Sequence, residues 1–176
     1  VELLDSVDNG YARLKLPVLR LVHWLNRNTR SGSRRNIGGH YDLGNNFFKL
    51  FLDQSMMYSC AYYNHQKSNL DEAAEAKLRR ICDKLQLAES DRVIEIGSGW
   101  GGFAIYAARR YGCHVTTTTI SDEQFAYAEK RIKAEGLQGS ITLLKDDYRA
   151  LKGQFDKLVS IEMIEAVGPQ FLEGYL

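Results

Sequence analysis

Three glycines at the spacing G-x-G-x-x-G carry the clearest chemical signal in this chain. Gly97, Gly99 and Gly102 follow the short β-branched run Val93–Ile96 and precede a helical pattern. Glycine adopts positive φ angles and leaves no Cβ between the backbone and a ligand. A strand, a glycine turn and a helix in this order direct backbone N–H groups and a helix N-terminus at an anionic or hydroxylated ligand. The spacing therefore indicates a nucleotide-type cofactor, with a tight turn that binds nothing as the alternative.

The end of the second predicted strand helps to choose the cofactor. A dinucleotide site requires an acid there, about 20 residues beyond the glycines, to bind the ribose. In this chain the strand His114–Ile120 ends in threonine hydroxyls, while Asp122 and Glu123 fall where the next helix begins. Ser121 is a suitable N-cap for that helix, and acids are favourable in its first turn. The missing acid argues against a nicotinamide cofactor and is neutral about S-adenosylmethionine.

The elements that must position this turn follow a regular order along the chain. A helix is predicted over residues 17–28, helical spacing follows over 45–52, and a third helix runs from the capping-box pair Ser68 and Asp71 to about Leu87. Beyond it, strands alternate with helices: strands at 92–97, 114–120, 141–145 and 156–162, helices at 102–111 and 122–136, and a helix that begins at Pro169. This alternation predicts a doubly wound α/β fold with a parallel sheet.

A parallel sheet of this kind binds its ligand above the carboxyl ends of the strands. The residues predicted to converge there are Gly97, Thr119, Asp147, and Glu162 or Glu165. We divide the chain into a helical and loop cap, residues 1–66, which carries active-site residues, and a partial Rossmann-like domain, residues 67–176. Folds of this kind add strands after the fourth, so we expect a fragment of a longer protein whose last strand has one bare edge.

Composition narrows the function classes. With 44% apolar residues and two prolines, the chain can bury a core and has no long biased tract. No apolar run approaches the ~18 residues of a membrane span, and no signal peptide opens the chain. The three cysteines lack metal-ligand spacing, so we predict no metal site and a reducing, cytoplasmic location. Cys82 falls on an apolar helix stripe and is predicted to be core.

Basic residues are concentrated near the N-terminus. The segment Tyr11–His40 holds seven of the 23 basic residues and none of the 22 acidic ones, interleaved with leucines, valines and Trp24. A basic amphipathic segment with a tryptophan can lie on an anionic lipid surface. A packed helix with a solvated basic face is an equal alternative. Nucleic acid is disfavoured as a partner, because no nucleic-acid-binding motif accompanies the charge.

Four sequence blocks resemble the cyclopropane fatty acid synthase family, which includes the mycolic acid cyclopropane synthases. The blocks are R-R-N-I-G-G-H-Y-D-L-G-N at residues 34–45, M-Y-S-C-A-Y at 57–62, the glycine turn with Trp100, and S-I-E-M-I-E-A-V-G at 160–168. The first two blocks are specific, because generic methyltransferases share the glycine turn but not these. The resemblance covers nearly the whole chain and is weakest before Leu16.

The resemblance implies a class I methyltransferase fold that uses S-adenosylmethionine. Members transfer a methyl group to the cis double bond of a phospholipid acyl chain, remove a proton and close a cyclopropane ring. We therefore expect a cytoplasmic protein, peripheral to the inner face of the membrane and in contact with anionic lipid. A homodimer is compatible with the sequence. The alternatives are a fatty acid methyltransferase that leaves a methyl branch, a small-molecule N-methyltransferase, and a non-catalytic cofactor- or membrane-binding module.

The resemblance also assigns cofactor contacts by motif. Tyr58 and Ser59 would contact the cofactor from the cap, and Gly97 and Gly99 would lie behind its amino-acid portion. Thr119, Ile120 and Gln124 would lie on its ribose side, and Asp147 with Tyr148 on its adenine side. Some members have a tryptophan at the position of Asp147.

The predicted reaction passes through a carbocation, which needs a dry, electron-rich pocket more than a strong base. Desolvated tyrosine faces stabilise a cation by ~0.5–2 kcal/mol. Tyr41 matches the family position near the cation, and Tyr58 is a second candidate. Tyr62 and Tyr63 are further candidates, for which ordinary aromatic core is the favoured interpretation.

Proton removal in the family uses a bound bicarbonate ion. Glu165 matches the glutamate that holds this ion, and Cys60 matches the cysteine beside it. From residue type alone, they would be a helix-start acid and a buried thiol. His40 is expected to orient its neighbours by hydrogen bonding. Other members supply bicarbonate ligands from beyond the point where this chain ends, so we expect the chain itself to bind cofactor at reduced affinity without forming rings.

Overall fold

The computed structural model describes Thr29, Gly32 and residues 44–175, apart from the side chain of Pro169. Several predictions concern other residues. The helix over 17–28, almost all of the basic segment, His40 and the candidate Tyr41 lie outside the described residues.

Four parallel strands form the described sheet. They are β1 Arg92–Ile96, β2 His114–Thr118, β3 Ile141–Leu144 and β4 Lys157–Val159. Their order across the sheet is β3-β2-β1-β4, and Val93 pairs with Val115 on one side and with Lys157 on the other. The chain therefore crosses β1 after β3, which confirms the doubly wound α/β prediction. As expected, β4 lies at an edge of this sheet.

Five helices accompany these strands in the described part of the chain. They are α1 Asn45–Phe48, α2 Leu70–Leu85, α3 Gly102–Tyr111, α4 Asp122–Ala134 and α5 Ile164–Val167, with single 3₁₀ turns at Tyr148–Ala150 and Pro169–Phe171. The helix predicted to begin at Pro169 is thus a 3₁₀ turn, and the short α5 before it was not predicted. No described helix combines the length and the apolar character needed to cross a membrane.

The N-terminus of α2 differs from the prediction by one residue. Asn69, not Ser68, is the N-cap: its side chain accepts the Glu72 N–H at 2.9 Å, and the Glu72 carboxylate accepts the Asn69 N–H at 3.1 Å. Both residue types cap helices well, so sequence alone did not separate them. The predicted Ser121 cap of α4 is confirmed, since its side chain accepts the Gln124 N–H.

The main core lies between the sheet and the helices. Fully buried residues from β1, β2 and α3 meet there, and α2 adds Leu78 and Cys82. Cys82 and Cys113 are 0% exposed, which confirms Cys82 as core. A second, smaller cluster joins Phe48, Met56 and Trp100. This second cluster attaches the residues before α2, which we call the cap, to the glycine turn.

Candidate functional site

A cavity of about 1000 Å³ opens where β1 and β2 end and the chain leaves β4. Every described residue that the resemblance assigned to the cofactor or to proton removal lines it: Tyr58, Ser59, Cys60, Gly97, Gly99, Thr119, Ile120, Gln124, Asp147, Tyr148 and Glu165. The predicted convergence of Gly97, Thr119 and Asp147 is confirmed, and both Glu162 and Glu165 reach the same cavity. What each residue binds stays a prediction.

The glycine turn contributes space to this cavity. Gly97 has φ 93°, and a Cβ built on it would lie 3.1 Å from Met163 Sδ. The N–H groups of Gly97 and Ser98 donate to Thr118 O at 3.2 and 2.8 Å. Because the sheet already uses these two donors, they are not directed at a ligand as the sequence pattern suggested. At Gly99, by contrast, no atom lies within 4 Å of the Cβ position, so the missing side chain leaves room for a ligand close to the backbone.

Beyond β2, the two polar residues assigned to the ribose side are tied to each other. Thr119 and Gln124 are 7% and 5% exposed, and Thr119 Oγ1 donates to Gln124 Oε1 at 2.9 Å. The Ser121 N–H donates to Thr119 Oγ1 at 3.2 Å. The N-cap of α4 and this pair therefore form one small network, which fixes both side chains in the cavity wall.

Asp147, which the resemblance assigned to the adenine side, is paired with a neighbour in sequence. Its carboxylate is largely buried and accepts Arg149 Nε at 2.7 Å and the Arg149 N–H at 3.0 Å. This hydrogen bonding raises the pKa of the Arg149 guanidinium. The guanidinium also lies over the rings of Tyr148 and Phe171, at 5.4 and 5.5 Å from their centroids. Tyr148 and Arg149 thus line this end of the cavity.

One residue of the cavity wall was not singled out from the sequence. Glu95 on β1 is 2% exposed, and its carboxyl accepts a 2.6 Å hydrogen bond from Thr117 Oγ1 on β2. Burial raises the pKa of Glu95 to about 7, although the bond from Thr117 acts in the opposite direction. An acid between the apolar residues Ile94 and Ile96, two residues before the first glycine, was the available signal.

The cap closes over the glycine turn through aromatic and polar contacts. The Tyr58 ring packs on Phe48 and Trp100, with centroids 5.5 and 6.4 Å apart. Trp100 Nε1 donates to Asn45 Oδ1 at 2.6 Å. Arg131 of α4 donates to the backbone oxygens of Ser55 at 2.8 Å and Trp100 at 3.2 Å. These bonds join cap, turn and α4 into one wall.

Cys60 is an exposed thiol, which contradicts the interpretation from residue type as a buried one. Its N–H donates to both carboxylate oxygens of Glu162, at 3.0 and 3.1 Å. The adjacent Glu162 carboxylate raises the pKa of the Cys60 thiol. Glu165 lies in the first turn of α5 with its side chain exposed toward the cavity.

Tyr62 and Tyr63 are not core, so that prediction is wrong. They are 41% and 56% exposed, and neither lines the main cavity. The Tyr62 ring instead packs under the Arg80 guanidinium, 4.7 Å away, beside a shallower cavity of about 430 Å³ on α2. Their spacing within an aromatic run suggested burial, but the chain here runs along the surface of α2.

Comparison with known proteins agrees with this geometry. A family model described as mycolic acid cyclopropane synthetase matches residues 28–176. This chain belongs to that family. It is 48% identical over 150 residues to cyclopropane-fatty-acyl-phospholipid synthase of Escherichia coli (strain K12), covering 84% of this chain and 38% of that enzyme. It is also 46% identical over 141 residues to a probable fatty acid methyltransferase of Pseudomonas putida, covering 79% of this chain and 36% of that protein.

Solved structures support the same fold. The mycolic acid cyclopropane synthase CmaA1, in complex with SAH and CTAB, superimposes with a TM-score of 0.77 at 30% identity, over 81% of this chain and 50% of that one. The cyclopropane synthase MmaA2 from Mycobacterium tuberculosis gives the same TM-score, identity and coverage. The chain therefore has a Rossmann-like class I methyltransferase fold. It spans less than half the length of the curated relatives cited.

Proposed function

We propose that this chain is the cofactor-binding part of an enzyme that transfers a methyl group from S-adenosylmethionine to the cis double bond of a phospholipid acyl chain and then closes a cyclopropane ring. The observation that carries the proposal is the single cavity, about 1000 Å³, lined by the cap and the glycine turn together. Membership of the family and 48% identity to the E. coli synthase support the reaction class.

The residues present fit an adenosyl cofactor. A Cβ at Gly99 would meet nothing within 4 Å, so the turn is open on that side. Gly97 and Gly99 would back the amino-acid portion, the Thr119–Gln124 pair would face the ribose, and Asp147 with Tyr148 would border the adenine. When bound, this cofactor supplies an electrophilic methyl group. Tyr58 offers an aromatic face to positive charge, and the apolar cap keeps water from the reacting carbon.

Bicarbonate, which the resemblance implies, fits the described residues less well. The Cys60 N–H already donates to Glu162, and the carboxylates of Glu162 and Glu165 line the same cavity. A further anion beside two carboxylates is disfavoured unless other donors or a proton compensate. We therefore assign no step to bicarbonate from the described residues.

The same cavity has room for part of an acyl chain. Pockets for a single small ligand occupy about 300–1000 Å³, so this one lies at the upper end of that range. Its walls include apolar residues of the cap and α2 such as Phe51, Leu52 and Leu70. Phe47 and Leu50, in and just after α1, are 44% and 82% exposed. We propose that these residues face the acyl region of an anionic lipid surface, on the cytoplasmic side of the membrane.

Calorimetric titration with S-adenosylhomocysteine tests the cofactor proposal. We expect saturable binding with one site per chain. The test variant is G99V, which places a branched side chain in the open turn at a residue with φ 50°. Its control is G139A, at a glycine outside the cavity, where no atom lies within 4 Å of the Cβ position. Binding should be lost in folded G99V and retained in G139A. No binding by the folded wild-type chain would favour a non-catalytic membrane-binding module or a nonfunctional fragment.

A fatty acid methyltransferase is the second candidate, favoured by the 46% identity to the Pseudomonas putida protein. The two reactions differ in their lipid products. A gain of one CH₂ with loss of the double bond indicates a ring, whereas a gain of one CH₂ with retained unsaturation indicates methylenation. Because both products have the same mass, we expect ¹H NMR of the lipids, after incubation with a whole protein that contains this chain, to separate them: cyclopropane protons appear for the ring, whereas olefinic protons remain for methylenation.

A further inference from the structure

Lys77 lies in the middle of α2 and is turned toward the inside of the protein. Its side chain is 12% exposed, whereas lysines are almost never buried unless they are paired. Its ammonium group donates to Ser59 Oγ at 2.6 Å and to Glu162 Oε1 at 2.9 Å. Ser59 and Glu162 line the main cavity, and Lys77 is not among its lining residues. Lys77 therefore lies outside the cavity and is hydrogen-bonded to two residues that line it.

Glu162 is the centre of this contact. Its φ of 48° lies in the left-handed region, where a residue with a long side chain is strained. Such a conformation persists only where the surroundings fix it. Here the carboxylate accepts the Cys60 N–H with both oxygens and the Lys77 ammonium with one. Three segments that are distant in sequence, namely the cap, α2 and the chain after β4, thus meet at one carboxylate.

We propose that Lys77 is a positioning residue: through Glu162, it holds the cap segment Tyr58–Cys60 over the glycine turn. The inference rests on the proposed function only for the identity of the ligand that this segment contacts. The Lys77 side chain is 12% exposed and the Glu162 side chain 38%, and hydrogen bonds between charged groups contribute more than neutral ones. Without Lys77, the Glu162 carboxylate would lack its cation, and the main core between sheet and helices would remain intact.

Amide hydrogen exchange of the ligand-free chain, followed by NMR, tests the positioning role directly. In K77M, the Cys60 amide should exchange about 10- to 100-fold faster, as loss of charge-assisted bonds predicts. Amides of β1 should be unchanged. E162Q should accelerate the same amide, and K77R should restore part of the protection. The matched control is K84M, the same change at an exposed lysine of the same helix. Cys60 exchange within about twofold of wild type in folded K77M would overturn the proposal.

Affinity for S-adenosylhomocysteine provides the second readout. We expect K77M to weaken binding by about tenfold or more, K84M to bind like the wild type, and K77M/E162Q to bind no worse than the weaker single variant, because both changes break one contact. Additive losses would contradict the shared contact. A wild-type chain that binds no S-adenosylhomocysteine would refute the proposed function, and the exchange experiment would still decide the role of Lys77. If K77M fails to fold, E162Q alone decides it by the same exchange criterion.

Discussion

Glu95 is a carboxyl group enclosed in the wall of the cavity, and its titration should be visible in stability. Because the folded pKa of about 7 lies above the ordinary value of 4.5, the folded state binds more protons than the unfolded state between these two pH values. The free energy of unfolding should therefore fall as the pH rises from about 4.5 to about 7. A shift of this size corresponds to about 3 kcal/mol.

Urea denaturation of the wild type and E95Q across this pH range measures the effect. Glutamine retains an oxygen that can accept the Thr117 hydroxyl, so E95Q should lose the slope without losing the contact. E129Q, at an exposed glutamate of α4, should keep the wild-type slope. Parallel pH profiles for the wild type and E95Q would contradict this account of Glu95.

The pKa of the Cys60 thiol depends on the charges of Glu162 and Lys77. The Glu162 carboxylate raises the pKa of the thiol, and the Lys77 ammonium acts in the opposite direction. E162Q should therefore lower the pKa of Cys60, and K77M should raise it. The pH profile of alkylation by iodoacetamide gives this pKa, since Cys82 and Cys113 are buried. Shifts of the same sign in both variants would contradict the described arrangement, and K84M should leave the profile unchanged.

At the scale of elements, the N-cap residue of α2 can be tested, because the sequence favoured Ser68 and the structure shows Asn69. The structure gives Asn69 the capping box, so N69A should destabilise the chain by about 1 kcal/mol. S68A, at the residue that the sequence favoured, should change stability by less than about 0.5 kcal/mol. Thermal and urea unfolding of both variants decides the matter. A larger loss in S68A than in N69A would contradict the assigned cap.

The contact between cap and α3 depends on a missing side chain. A Cβ on Gly102 would lie 2.8 Å from the backbone oxygen of Ser55. Because both are backbone positions, the added methyl group fits only if the cap moves. G102A should cost about 1–3 kcal/mol of stability and weaken S-adenosylhomocysteine binding. G139A is the control, because nothing lies within 4 Å of its Cβ position. Equal stability and affinity in the two variants would show that the cap does not pack as described.

The ends of β1 and β4 show where the local sequence was enough to predict the end of a strand and where it was not. Strand β1 stops at Ile96 because Gly97 adopts φ 93°, and a glycine there made the end predictable within one residue. The β4 strand was predicted to reach residue 162 but ends at Val159. Glu162 itself has φ 48°, which is not strand geometry. This conformation accompanies contacts to Lys77 and Cys60, which no local pattern contains.

At the scale of the whole molecule, alternation of strands and helices was enough to predict the parallel sheet and the edge at which its polar residues gather. The glycine spacing and the family motifs then supplied the cavity-lining residues. The sequence did not predict the roles of Lys77 and Glu95 at the cavity wall, because Lys77 resembles any helix lysine, and an acid in an apolar run such as Glu95 does not by itself specify a partner. Their importance follows from burial and from partners 85 and 22 residues away, which only the folded chain brings together.

The measurement that tests the central claim most directly is NMR mapping of S-adenosylhomocysteine on the backbone amides of the chain. We expect saturable shift changes at Ser59, Gly99, Thr119 and Asp147, which belong to four separate segments around one cavity. Changes confined to the shallow cavity beside Tyr62 and Arg80, or no saturable change in a folded sample, would contradict the assignment of this cavity to an adenosyl cofactor.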